Sequence, residues 1–441
     1  MPILATVLSI LLLLLLILKW RIPAFLALLI AAILAGLGSG LEGSAVIAAI
    51  QSGMGGTLGF VAIVVGLGAM FGALLENAGG AQAIAQYLIR KQGVERAPAA
   101  MALTGFLIAI PVFFDVAFII LIPVLYALKA RTGASLLKFA LPLLAGLAAT
   151  HAFIPPTPGP IAVAEIVGAD LGWVILLGAV AGIPAVMVSG LWFGQWAARG
   201  IDPEPPAFSE TKAPDVLPPV GLILFIIGMP IVLIVLSTLS EAGTLPVPDA
   251  ALPVIQFLGH PFTALLLANL LIWYLLGLRR GYSSEVLLKA STDSMSTAGS
   301  ILLLTGAGGV FKQMLVDTGA GQQIASSMTE AGLPVIVFAF VAAALIRVAQ
   351  GSATVAMITG ASLTAPLLSN GASFSAGQLG AIVIAIAAGG TVLSHVNDSG
   401  FWLVKSYLGM SEKETFRSWT VLTAILGVAG FCISALLFYL L

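Results

Sequence analysis

The stretch Gly389–Gly409, GGTVLSHVNDSGFWLVKSYLG, begins as a membrane helix and then stops behaving like one. After a small and apolar start, His395, Asn397, Asp398 and Ser399 fall where more apolar residues should follow. A carboxylate and an imidazole are costly in lipid, and an exposed backbone there is costlier still. The run therefore reads as the unwound middle of a membrane helix that lines a polar cavity. Asp398 is also placed to cap the helix that resumes at GFWLVKSYL through its backbone N–H groups.

The rest of the chain makes that reading necessary. It has 441 residues, 60% hydrophobic and only 8% charged, with mean hydropathy +1.12. Soluble domains carry roughly 25% charged residues, so this is an all-α polytopic membrane protein. A net charge of −1 offers nothing to nucleic acid. The single cysteine, Cys432, excludes an internal disulfide or a cysteine metal cluster and is expected to be a small packing residue. Lys19 and Arg21 follow the first apolar run instead of preceding it, the reverse of a secretory signal, which predicts a retained helix with its N-terminus outside. Further spans are expected to start near Ala24, Thr57, Trp173, Leu217, Phe262, Met295 and Trp419. Basic residues at Arg90, Lys91, Arg96, Arg199, Arg279 and Arg280 then fall on the cytoplasmic side.

Between Pro98 and Leu128 the only charge is Asp115, yet basic residues flank both ends. A single crossing would export one of those clusters, whereas a re-entrant hairpin turning at Phe113–Asp115 keeps both inside, with Pro111 breaking the helix. A second interruption, THAFIPPTPGP from Thr150 to Pro160, carries four prolines that no continuous helix accommodates. AQGSATVA, Ala349–Ala356, is a small, hydroxyl-bearing interruption between two apolar arms. Together with SHVNDSG, the chain holds four breaks.

They fall into two halves. Gly66–Ala85 aligned with Gly306–Ala325 gives eight identities in twenty at a spacing of 240 residues. At nearly the same spacing FFDVAF meets GSATVA and the helix ending at His151 meets the one ending at His395. The charge count makes the first helix of each pair run in opposite directions, so the repeats are expected to be inverted, an arrangement of secondary transporters with a midplane site. The expected organisation is an extra helix at 1–21 and repeat 1 at 22–197, with its hairpin near 98–128 and its broken helix near 139–170. A polar, proline-rich cytoplasmic linker at 198–219 and a connecting helix and loop at 220–260 follow. Repeat 2 takes 261–441, with its hairpin near 333–369 and its broken helix near 376–410.

GSATVA, HAFIPPTPGP, GGVFKQMLVDTG and above all SHVNDSGFWLVK resemble the signatures of the gluconate permease family, the gluconate:proton symporters, from Gly55 to the last helix. The resemblance implies elevator-type architecture, a bacterial inner membrane, a homodimer and transport of gluconate or a related sugar acid. Another small hydroxylated anion or amino acid such as D-serine is the alternative cargo. The family carries a glutamate in the first hairpin; this chain keeps the acid one methylene shorter, as Asp115.

Candidate roles follow from residue chemistry. Asp115, Asp398, His151 and His395 are the candidate proton-coupling groups, each with a structural alternative: a buried pairing, a helix cap, or a satisfied histidine. Gly351, Ser352 and Thr354 offer N–H groups and hydroxyls to an anion, or pack helices. Thr157, Asn397 and Ser399 are candidates of the same kind. Arg347, the sole formal charge between Ala331 and Asn397 apart from His395, either pairs with a fixed acid, snorkels, or clamps a substrate carboxylate. No cofactor or metal is implied beyond a coupling ion, H+ or, by caging among carbonyls and hydroxyls, Na+. An intramembrane hydrolase is the remote alternative of another class, and the sequence lacks its G-x-S-x-G elbow.

Overall fold

A computed structural model of the chain describes residues 2–93, 95–204, 216–319, 333–368, 373–396 and 398–441. Those residues form helices and connections, with no strand among them. The first half runs α1 (Pro2–Leu18), α2 (Ala24–Gly38), α3 (Gly43–Asn77), α4 (Gly80–Gln92), α5 (Ala97–Ile108), α6 (Phe114–Thr132), α7 (Leu137–Phe153), α8 (Pro158–Val167) and α9 (Leu171–Ala197). Helices α10 (Val220–Glu241), α11 (Leu252–Gly259) and α12 (Pro261–Arg280) connect the halves. The second half runs α13 (Ser284–Asp317), α14 (Val335–Gln350), α15 (Ala353–Leu368), α16 (Ala376–Thr391), α17 (Ser399–Leu408) and α18 (Glu412–Leu440). Seven segments among the described residues are long and apolar enough to cross a membrane, α7 and α8 counting together.

The interrupted helices occupy the centre. Every residue from Gly380 to Thr391 is buried, because a helix that ends inside the hydrocarbon region must be sheathed by protein. Its outer end carries a capping box, Ser375 with Gln378, that satisfies orphan N–H groups locally. Glycines set the spacing around it. A Cβ on Gly146 of α7 would stand 2.3 Å from the Ala102 carbonyl oxygen of α5, and one on Gly105 would stand 2.3 Å from the Leu143 carbonyl oxygen. The second half repeats the device, Gly389 of α16 lying against the Phe340 carbonyl of α14. Close backbone approach replaces the hydrophobic drive that lipid removes. Gly146→Ala therefore destabilises the protein by roughly 1–3 kcal/mol, because a backbone carbonyl cannot yield as a side chain does. Thermal unfolding in detergent checks this, with Gly55→Ala, which meets nothing within 4 Å, as the unchanged control.

Helices α3 and α13 pack on each other along their length and run antiparallel. Gly53 lies against Gly309 and Val310, while Leu58 lies against Gly306. Further along, Ala69 to Asn77 faces Val286 to Ser294. Both begin earlier than the expected starts at Thr57 and Met295, at Gly43 and Ser284. At 35 and 34 residues they reach about 50 Å, well past a hydrocarbon core of roughly 30 Å, so their more polar ends stay helical outside it. Cys432, expected to pack, is instead exposed on α18. The chain breaks between α5 and α6 at residues 109–113, just ahead of the expected Phe113–Asp115, and Asp115 sits in the first turn of α6.

Loop contacts sort the two ends of the bundle. At one end Lys129 pairs with Asp202 at 2.7 Å, Arg280 donates to the carbonyls of Ala78 (2.9 Å) and Val216, and Tyr282 donates to the Asn77 carbonyl at 3.1 Å. At the other, Thr238 donates to Asp170 at 2.8 Å and Ser375 to the Leu441 carbonyl at 3.4 Å.

Candidate functional site

Four helices begin at one place in the interior. The first residues of α6, α8, α15 and α17 line a cavity of about 580 Å³, together with His151 at the end of α7, Thr391 at the end of α16, and Trp419 and Thr423 of α18. Each half contributes one hairpin tip and one helix break. Helix N-termini carry unpaired N–H groups and a partial positive charge, so their convergence favours an anion.

The break after α16 is held by hydrogen bonds rather than left loose. Leu393 adopts a left-handed φ of 53°, which turns the chain out of the helix. Ser394 is pinned to the first turns of α18: its N–H donates to Thr423 Oγ1 (3.0 Å), its carbonyl accepts from Thr420 Oγ1 (2.5 Å), and its Oγ accepts from Trp419 Nε1 (2.7 Å). Trp402 Nε1 donates to the Val396 carbonyl at 2.7 Å, and His395 Nε2 lies 2.7 Å from the Val348 carbonyl of the neighbouring hairpin. Trp419→Phe removes one donor from this buried set. It is expected to cost about 1–3 kcal/mol and to slow transport, as thermal unfolding and initial uptake rates together would show.

Asp398 caps α17 by accepting from the Gly400 N–H at 3.0 Å. Its other oxygen accepts from Ser394 Oγ and from Arg347 Nη2. Arg347, in the last turn of α14, is only 4% exposed. Its Nε and Nη1 have no hydrogen-bond partner among the described residues. The fixed-acid pairing and a free donor edge thus coexist in one guanidinium. Nearby, Gly351 ends α14 with φ of 89°, and the Ser352 hydroxyl accepts from the Val355 N–H at 3.4 Å to start α15.

The first half supplies a different chemistry. Asp115 is exposed at the cavity and takes part in no ion pair among the described residues. The His151 ring stands edge-on to Phe113 at 6.2 Å, and its buried Nδ1 has no hydrogen-bond partner among the described residues.

The cavity gathers Asp115, His151, Arg347, Gly351, Ser352, Thr354, Asp398 and Ser399. His395 and Thr157 are outside its lining: His395 holds the break to the hairpin, and Thr157 Oγ1 donates to the Ile154 carbonyl at 2.8 Å, closing the proline turn. Asn397 lies outside the described residues. Sequence reasoning passed over Gln350, Thr391, Trp419, Thr423 and Ser394. Gln350, whose buried Oε1 has no hydrogen-bond partner among the described residues, and Ser394 stand inside the quoted breaks and were legible by position. Trp419 and Thr423 read as the start of an ordinary span, and only packing against Ser394 gives them a role.

A sequence profile of the GntP family permeases matches residues 1–441. The chain is 41% identical over 439 residues to the low-affinity gluconate transporter of Escherichia coli (strain K12), covering 98% of this chain and 97% of that protein. It is 40% identical over 424 residues to the gluconate permease of Pseudomonas aeruginosa (95% and 93%), and 36% over 436 residues to the Gnt-II system L-idonate transporter of E. coli K12 (98% and 97%). Two solved structures share the fold: the Alcanivorax borkumensis YdaH transporter, with TM-score 0.62 at 16% identity over 90% of this chain and 89% of that one, and Neisseria gonorrhoeae MtrF, with 0.63 at 15% over 93% and 94%. With end-to-end similarity on this scale, and helices built to cross a membrane, the chain belongs to the GntP family of permeases: it is a multi-pass transport protein of the bacterial inner membrane and not an enzyme.

Proposed function

We propose that the protein is a proton-coupled symporter of gluconate or a closely related small hydroxy or sugar acid. The observation that carries this reading is the guanidinium of Arg347, fixed on one side by Asp398 and left with two unpartnered nitrogens in a cavity ringed by helix N-termini. A carboxylate can accept bidentately on the end-on edge formed by Nη1 and the second hydrogen of Nη2, with Nε left to donate to a hydroxyl. The hydroxyls of Ser352, Thr354, Thr391 and Ser399 and the amide of Gln350 suit the hydroxyl-bearing tail.

Coupling follows from the charge count. Asp398 neutralises Arg347, so an ionised Asp115 leaves the cavity with a surplus negative charge that repels an anion. Protonation of Asp115 removes that repulsion, and proton and substrate bind together. The two halves act as inverted repeats in this reading. They present the same order of long helix, hairpin, broken helix and long helix at a spacing near 240 residues, and their equivalent long helices α3 and α13 pack antiparallel. The end that carries Lys129 and Arg280 is the cytoplasmic one by its basic residues. An elevator-like movement of the hairpins and broken helices against the remaining helices then carries the site across.

The test is uptake of radiolabelled gluconate into proteoliposomes under an inward pH gradient or, separately, an inward sodium gradient. Proton-driven accumulation is expected. Accumulation indifferent to pH but driven by sodium sinks the coupling, and no uptake under either gradient sinks the substrate.

A further inference from the structure

We propose that the substrate anion reaches the site from the cytoplasmic end through a second cavity, between α3 and α13, and that Phe113 is the partition between the two. This rests on the sugar-acid permease reading above. The second cavity measures about 450 Å³ and is lined by Gly72, Ala73 and Glu76 on α3 and by Lys289, Ala290 and Asp293 on α13. Phe113 and Val116 line both it and the main cavity, so these two residues stand in the wall between them.

The partition stands on a fixed base. Gly72 faces the Pro111 carbonyl so closely that a Cβ there would fall 2.0 Å from the oxygen, which presses the first hairpin tip against α3. Phe113, two residues on, has extended backbone (φ −60°, ψ 145°) and half-buried side-chain surface, free of the helix that starts after it. Its ring can therefore change rotamer while the turn stays in place.

The opening is one-sided. The same antiparallel pair that parts around this cavity is sealed at its other end, where a Cβ on Gly53 would stand 2.8 Å from the Gly309 carbonyl oxygen and from Val310 Cα. The mouth of the cavity lies at Asn77, beside Arg280 and Tyr282, which bond the Ala78 and Asn77 carbonyls. That is the basic end of the bundle. Among the described residues of the cavity Lys289 is the one cation a carboxylate meets, and the acids Glu76 and Asp293 beside it keep the anion from being held there. The lining suits passage rather than storage.

Cys432 is the only cysteine and lies exposed on α18, away from both cavities, so Cys432→Ala provides a cysteine-free parent. Its gluconate uptake is measured first. Absence of uptake in the parent removes the permease reading and the passage with it. In that parent, Ala290→Cys and, one turn on, Ser294→Cys are treated with an anionic, membrane-impermeant thiosulfonate added to either face of oriented vesicles. The passage predicts labelling from the cytoplasmic face alone, a loss of uptake of tenfold or more on labelling, and labelling slowed severalfold by saturating gluconate. Ala49→Cys, 2% exposed at the sealed end, stays unlabelled. Labelling from the opposite face, no labelling of either variant, or full labelling with uptake unchanged overturns the passage while leaving the permease assignment intact.

Discussion

Arg347→Gln is expected to abolish gluconate uptake, and Arg347→Gln combined with Asp398→Asn is expected not to restore it. Two nitrogens of Arg347 that have no partner among the described residues are the donors assigned to the substrate. A hydrogen bond to a charged group contributes about 1.5–3 kcal/mol, so losing both costs roughly 3–6 kcal/mol, about 10²- to 10⁴-fold in affinity. The single variant also strands the Asp398 carboxylate, which loses its only ion pair among the described residues and costs roughly 3–5 kcal/mol in a buried setting. The double variant separates the two effects. The side-chain amide that Asp398→Asn introduces can still cap α17 through its one oxygen while its NH2 donates to Ser394 Oγ, so detergent-extracted protein should recover most of its thermal stability. Gluconate binding by calorimetry and uptake in proteoliposomes should remain lost. Near wild-type transport by the double variant would make Arg347 a structural partner of Asp398 and nothing more. Arg347→Lys keeps the charge without the planar fork and is expected to retain stability with strongly weakened binding.

Asp115→Asn is expected to uncouple transport from the proton gradient while leaving exchange intact. The substitution keeps the shape of the neutral acid and removes the proton it would carry. With one proton per monovalent anion, each unit of pH gradient provides about 1.4 kcal/mol, about tenfold accumulation at steady state. In Asp115→Asn that ratio falls to about one under the same gradient, whereas counterflow of labelled against unlabelled gluconate persists, because the site no longer needs protonation to accept the anion. Accumulation as high as in wild type would move the coupling to another cavity group, with His151 the first to test. Loss of both accumulation and exchange would place Asp115 in substrate binding instead.

These expectations depend on features of unequal legibility. Pro155, Pro156, Pro158 and Pro160 announce a helix break, and α7 ends at Phe153 while α8 resumes at Pro158. The polar run after Leu393 announces another, and α16 ends at Thr391 while α17 resumes at Ser399. The starts of α3 and α13 were less legible, since hydropathy registers only the part of a helix that needs lipid, and their outer turns rest on each other. The same limit hid Trp419, a good interfacial aromatic by sequence and a hydrogen-bond donor to Ser394 in the fold.

What the sequence determined alone is local: where backbone cannot continue as helix, which residues are too polar for lipid, and that two halves repeat that pattern. Proline, glycine and charge act on their immediate neighbours, so their consequences can be read along the chain. Tertiary structure decided the rest. The choice left open for Arg347 became a pairing with Asp398, 51 residues away, and among the described residues two of its nitrogens have no partner and Asp115, in the same cavity, has no ion pair. Which partner a buried charge finds depends on how distant helices pack, and glycines that let their backbones touch set that packing.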